Sequence, residues 1–303
     1  MLDARSATRD RGDWFSGPQV PVRVRASFLR KLAPGLGRDT PAPAWALLSG
    51  RWAWLAVLSV GFGLFEVVRQ VLANTNNPNL FPALLLLGAT VVPVSFVAFV
   101  YGRELRFGVG TGALVMVAFL GGVIGVVTAS LIEYHTLRDL GTLPAIAVGL
   151  IEEAAKLIVP IGVLALTNCR RPADGLLVGV ACGAGFAAME TMGYSATALV
   201  GSHGNIAAVD NLLLERGLFS PATHMAWTGL TAAALWHAAD RGWTLGAVLR
   251  LLGVFALAVA LHATWDSADS VAAYIPIATV SLMSLKSTAR RLASVPELPA
   301  PGR

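Results

Sequence analysis

The chain has 303 residues, of which 55% are hydrophobic and only 14% charged, with a formal net charge of +5 and a mean hydropathy of +0.65. An ordinary globular domain carries about 25% charged residues, so these values argue against a soluble enzyme, a disordered chain or a fibrous repeat and leave a multi-span membrane protein. Cys169 and Cys182 are the only cysteines, too few for a disulfide framework or a four-cysteine zinc site.

Residues 1–50 are rich in Arg, Pro and Gly and lack an apolar run; they are expected to form a flexible, basic cytoplasmic tail. The segment is too long and too polar for a signal peptide. A spanning helix needs about 20 mostly apolar residues. Eight stretches qualify: 52–68, 81–101, 109–132, 143–166, 174–199, 221–239, 244–265 and 270–285, the last being the shortest. They define a transmembrane domain over 51–285, followed by a second tail over 286–303. Open sheets cannot survive in lipid because each unpaired backbone group costs several kcal/mol, and alternating barrel strands are absent. The fold class expected is therefore an all-α, polytopic helix bundle of about eight spans.

An even number of spans puts both termini on one side. Of the 23 basic residues, only Arg69, Arg138 and Arg216 fall on the opposite side, and Lys156 and Arg250 lie within spans. The positive-inside rule then places both termini in the cytoplasm, and the net positive charge faces anionic lipid. No aromatic or groove-reading element suggests a nucleic-acid partner.

Ionisable groups inside spans are costly and mark a functional site by default. Glu66 stands three residues before Arg69 and is expected simply to pair with it. The fourth span reads Leu150-Ile151-Glu152-Glu153-Ala154-Ala155-Lys156. Both glutamates reach Lys156 at helical spacing, and two adjacent carboxylates deep in a bilayer need Lys156 or a metal to offset their repulsion. That arrangement suits general acid/base work, although a buried ion triad that only fixes packing would look the same. Pro160 denies a hydrogen bond to the Lys156 carbonyl, so a kink beside the acids is expected.

In the fifth span Phe186 and Glu190 share one face, while Gly175, Gly179 and Gly183 recur every four residues on another and permit close helix contact. The sixth span opens Ser220-Pro221-Ala222-Thr223-His224, where Ser220 suits an N-cap and Pro221 the first helical position, leaving His224 in the first turn. The seventh ends His262-Ala263-Thr264-Trp265-Asp266, placing Asp266 on the His262 face as an orienting carboxylate. At about 1.5 Å rise per residue, Glu152 and Glu153 lie about 15 Å from the outer end of their span, and the other candidates also fall in the outer half. Four spans are thus expected to converge on one cavity open to the extracytoplasmic side.

Glu152-Glu153-x-x-Lys156, Phe186-x3-Glu190, His224 shortly after Pro221, and His262-x3-Asp266 together resemble the PrsW intramembrane proteases, relatives of the membrane-bound CAAX prenyl proteases and bacteriocin-processing enzymes. The resemblance covers about residues 145–270, and the spans before residue 140 carry no motif. It implies hydrolysis of a peptide bond in a membrane-anchored protein, of the anti-sigma-factor kind, at an extracytoplasmic site of a bacterial cell membrane. Glu152 and Glu153 match the paired catalytic glutamates and His262 the essential histidine. Glu190 stands where the CAAX proteases have histidine, and Asp266 where they usually have asparagine.

The chemistry that follows is acid/base hydrolysis. Glu152 or Glu153 takes a proton from water, and His262, with Asp266 or His224, stabilises the oxyanion or protonates the leaving nitrogen. Lys156 sets the charge state of the acid pair. A metal-free form and a form with Zn²⁺ held by His224, His262 and a glutamate such as Glu190 both remain open. His-Glu-x-x-His, Gly-x-Ser-Gly and Gly-x-Gly-Asp are all absent. The competing readings are a proton-coupled transporter, against which the bare first three spans argue, and a non-catalytic membrane scaffold.

Overall fold

The computed structural model describes residues 52–103, 105 and 107–294; the tail expected over 1–50 and residues 295–303 of the second lie outside these. The described residues fold into helices α1 (Ala53–Thr75), α2 (Phe81–Tyr101), α3 (Thr111–Leu140), α4 (Ala145–Lys156), α5 (Ile158–Leu166), α6 (Pro172–Gly201), α7 (Ile206–Phe219), α8 (His224–Asp240), α9 (Leu245–Asp266) and α10 (Val271–Ala293). Short 3₁₀ turns at Pro78–Leu80 and Ser220–Ala222 precede α2 and α8, and no strand occurs among the described residues. The Glu66–Arg69 pair forms as expected, with Arg69 Nε donating to Glu66 Oε2 at 2.8 Å.

Six of these helices are long and apolar enough to cross a membrane: α1, α2 with its leading turn, α3, α6, α9 and α10. The other two expected spans are helical but differ from simple rods. The stretch 143–166 is broken between α4 and α5. Pro160 has no N–H to offer the Lys156 carbonyl, so the chain tightens, with Leu157 N donating to Ala154 O at 3.1 Å. The freed Lys156 carbonyl accepts from the Cys182 thiol at 3.2 Å instead.

The stretch 221–239 becomes α8, only 17 residues long, entered from α7 through the second 3₁₀ turn. Here the expected cap is replaced. Ser220 does not cap α8; its hydroxyl donates to the Arg216 carbonyl at 2.6 Å, closing the end of α7. Pro221 lies within the 3₁₀ turn, and Thr223 precedes α8 without a side-chain cap bond. His224 is consequently the first residue of the helix. At the far end, α10 continues to Ala293, past the boundary expected at 285.

α6 is the central post: most of it is buried inside the bundle, whereas the other five long helices are buried over only a minor part of their length. Its glycine repeat explains how. A Cβ at Gly175 would lie 2.7 Å from the Trp236 ring, and one at Gly179 or Gly183 would collide with the Thr228 or His224 carbonyl. Only hydrogen at these positions lets the α6 and α8 backbones touch. α8 is buried on all sides from His224 to Trp236, the pattern of a core helix. Trp227 Nε1 donates to Ser281 Oγ at 2.9 Å, tying α8 to α10. Apolar side chains such as Leu176, Leu177, Val180, Met225 and Leu230 fill the interior between α6 and α8.

Candidate functional site

The buried polar network starts on α4. Lys156 is wholly buried and its ammonium meets three acceptors: Glu152 Oε2 at 3.1 Å, Glu153 Oε1 at 2.8 Å and His224 Nδ1 at 2.8 Å. Three donors against three acceptors leave none of its protons unpaired. The Phe186 ring closes the remaining side, with Nζ 4.2 Å from its centroid. The helical spacing of the two glutamates and the lysine therefore yields the shared face that the sequence implies.

His262 arrives from α9. Its Nδ1 lies 2.9 Å from Glu153 Oε1, and its Nε2 lies 3.4 Å from Glu152 Oε2 and 3.5 Å from Asp266 Oδ2. The nearest carboxylate to the ring is thus Glu153. Asp266, at the helix end, stands a full turn beyond, and its side chain is 32% exposed. Gly149 lets α4 lie this close to α9, since a Cβ there would be 3.1 Å from the Val259 carbonyl and 3.3 Å from His262 Cβ.

His224 completes the cluster from the start of α8. Its position fixes its hydrogen bonds: Nδ1 accepts from Lys156, so Nε2 carries the proton and donates to Glu190 Oε2 at 3.0 Å. Its ring lies 5.4 Å from those of Phe186 and His262, centroid to centroid. Glu152, Glu153, Lys156, Phe186, Glu190, His224, His262 and Asp266 are therefore brought together at one place.

Two members were not foreseen. Arg216, expected in an outer loop, projects from α7 and donates to Glu190 Oε2 at 2.6 Å and to Thr191 Oγ1 at 3.3 Å. Glu133, expected just beyond the third span, lies on α3, which runs unbroken to Leu140. The stretch 133–140 contains neither Gly nor Pro, a signal that the helix continues. Glu133 lines a cleft of ≈290 Å³ together with Glu152, Glu190, Tyr194, Ser130 and Thr197, while Val126, Ala129, Phe186, Met189 and Gly193 form its apolar part. Glu153, Lys156 and His262 do not line it.

The donor set also suits a metal. Ligating atoms of Glu152, His224 and His262 all lie within 4.8 Å of one another. Two imidazoles and a carboxylate are the ligands of one common catalytic zinc class, and Glu153, 2.9 Å from His262 Nδ1, stands where such a histidine would have its outer carboxylate. The carboxylate in this group is Glu152, whereas Glu190, expected as the third ligand, is engaged by Arg216 and His224. Lys156 Nζ is hydrogen-bonded to two of the three donor residues, Glu152 and His224, so a metal held there would compete with its ammonium for them.

A family model described as PrsW family intramembrane metalloprotease matches residues 104–286, a stretch that contains all of these side chains. No curated protein and no solved structure gives a significant match.

Proposed function

The chain belongs to the PrsW family of intramembrane metalloproteases, and from that premise we propose that it hydrolyses a peptide bond of a membrane-anchored protein within its own buried Glu/His/Lys cluster. One observation carries the reading: Lys156, His224 and His262, far apart in sequence and on three separate helices, join with the adjacent Glu152 and Glu153 in one buried hydrogen-bonded network. A protein that merely needed to pack would gain little from it, because buried ion networks are often no more stable than apolar replacements.

The two glutamates divide the work. Glu152 lines the cleft, and its polar contacts among the described residues all run through Oε2. Its Oε1 is free to take the proton of a water standing in the cleft, and the protonated carboxyl then delivers that proton to the leaving nitrogen. Glu153 lies behind; it accepts from His262 Nδ1 and holds the ring so that Nε2 faces Glu152. Lys156 keeps the two carboxylates together, and Arg216 holds Glu190 against His224. Glu152, His224 and His262 would hold the metal ion; Zn²⁺ is the ion we propose. When bound it supplies Lewis-acid polarisation of the water and of the scissile carbonyl.

The topology we propose has eight crossings, α4 with α5 and α7 with α8 each forming one broken crossing. Arg103, Arg170, Arg171, Arg241, Arg290 and Arg291 lie at the bundle end opposite the cluster, which supports cytoplasmic termini and an extracytoplasmic site in a bacterial cell membrane. An anchored regulator of the anti-sigma-factor kind is the substrate class that fits this placement. A transporter reading gains no support, since apolar side chains fill the interior between α6 and α8 on the other side of the cluster.

The test is co-expression with candidate single-span proteins, comparing wild type, Glu152→Gln and His262→Ala by fragment mapping. Wild type should yield a defined fragment pair and both variants none, with metal retained by wild type in elemental analysis. Equal cleavage by all three would end the assignment.

A further inference from the structure

The cleft beside the cluster carries an acid that the hydrolytic scheme does not use. Three carboxylates line it: Glu133, Glu152 and Glu190. Two are compensated, Glu152 by Lys156 at 3.1 Å and Glu190 by Arg216 at 2.6 Å. Glu133 has no hydrogen bond or ion pair among the described residues, and its Oε1 is buried without a partner. It is also outside the group of donors that converge for a metal. An orphaned carboxylate oxygen of this kind is costly, and the cost falls away when a ligand brings a donor.

The remaining walls say what the ligand looks like. Val126, Ala129 and Met189 give the same cleft an apolar flank. Val126 and Ala129 precede Glu133 by seven and four residues and so share its face of α3. A volume of ≈290 Å³ lies at the lower end for small-molecule pockets, suited to one long side chain. A cleft with an apolar flank and an unpaired acid in its wall complements an aliphatic stem that carries a cation.

We propose that this cleft is the subsite that receives a lysine or arginine side chain of the substrate next to the scissile bond, with Glu133 accepting its charged head. The proposal rests on the proteolytic reading for the word substrate. The binding site itself stands on the cleft alone. Glu133 is then a specificity-determining residue, placed on α3, outside all the motifs that carry the chemistry.

The experiment uses full-length protein in phosphatidylcholine nanodiscs and p-aminobenzamidine, an amidinium on an apolar ring, followed by its fluorescence. Wild type should bind saturably, and agmatine should compete. Glu133→Gln should weaken binding about tenfold or more, the scale of a lost hydrogen bond to a charged group, while Glu133→Asp should retain part of it. Gel-filtration profiles identical to wild type would show that both variants are folded. No saturable binding, or equal affinity in wild type and Glu133→Gln, overturns the proposal. So does competition by phosphatidylethanolamine in mixed nanodiscs without competition by agmatine, which would assign the cleft to a lipid amine. Amidine binding without any proteolysis would sink the protease reading and leave the cationic subsite standing. Where a cleaved single-span protein is in hand, changing the residues flanking its scissile bond to Lys or Met should reveal a basic preference that Glu133→Gln abolishes.

Discussion

Adjacent residues on a helix point about 100° apart, so Glu152 and Glu153 cannot do the same thing. Glu152 turns to the cleft, and Glu153 turns to His262 and is 2% exposed. Replacing each by glutamine keeps the shape and removes the charge, which separates the roles. Glu153→Gln is expected to bind the metal 10–100-fold more weakly, the usual effect of losing an outer carboxylate, and to regain cleavage when zinc is raised. Glu152→Gln should stay inactive at any zinc concentration. A zinc titration against a chelating dye, run beside the cleavage assay, reads both. The sequence made this pair visible because two carboxylates and a lysine inside an apolar run have no inexpensive explanation. It could not rank them, because the ranking depends on α9 lying against α4 through Gly149. Glu133 and Arg216 were hidden for a different reason. Each lies where hydropathy falls, and a window that looks for lipid-facing residues reads a charged helix end as a loop.

At the scale of elements, both breaks in the bundle fall beside the cluster. α4 stops at Lys156 and α8 starts at His224, and the two residues hydrogen-bond to each other at 2.8 Å. Discontinuous helices in membranes are tolerated where protein covers the freed backbone, and here the Cys182 thiol and the Ser220 hydroxyl do so. The first break was legible, since Pro160 removes a specific donor. The second was misplaced by three residues because Ser-Pro is a common helix start, and only packing decides that the turn closes α7. The glycine repeat on α6 was legible too, and it makes a sharp stability prediction. Gly179→Ala puts a methyl group onto the Thr228 carbonyl of α8, whereas Gly193→Ala has nothing within 4 Å. The first should lose about 1–3 kcal/mol, the usual cost of overpacking, and the second should not be destabilised. Thermal unfolding in detergent, followed by the loss of the monodisperse peak, distinguishes them. Equal melting points would mean that the α6 and α8 backbones are not in contact at Gly179.

For the whole molecule, the cluster is where helices remote in sequence are joined. α4, α6, α8 and α9 each contribute a polar side chain, and the surrounding packing is otherwise apolar and non-directional. A ligand held by Glu152, His224 and His262 would link α4, α8 and α9 at once, so its binding free energy becomes stability of the folded bundle. Metal at a hundredfold excess over its dissociation constant contributes about 2.7 kcal/mol. Stripping the protein with a chelator should therefore lower its melting temperature, and zinc should restore it. His262→Ala breaks the shared site, so its melting temperature should be lower from the outset and indifferent to chelator. Glu133→Gln removes no member of the converging donor set and should respond to chelator as wild type does. If instead chelator leaves wild type unchanged while cleavage persists, Lys156 alone compensates the carboxylates, and the hydrolysis proceeds on the glutamate and histidine without a metal.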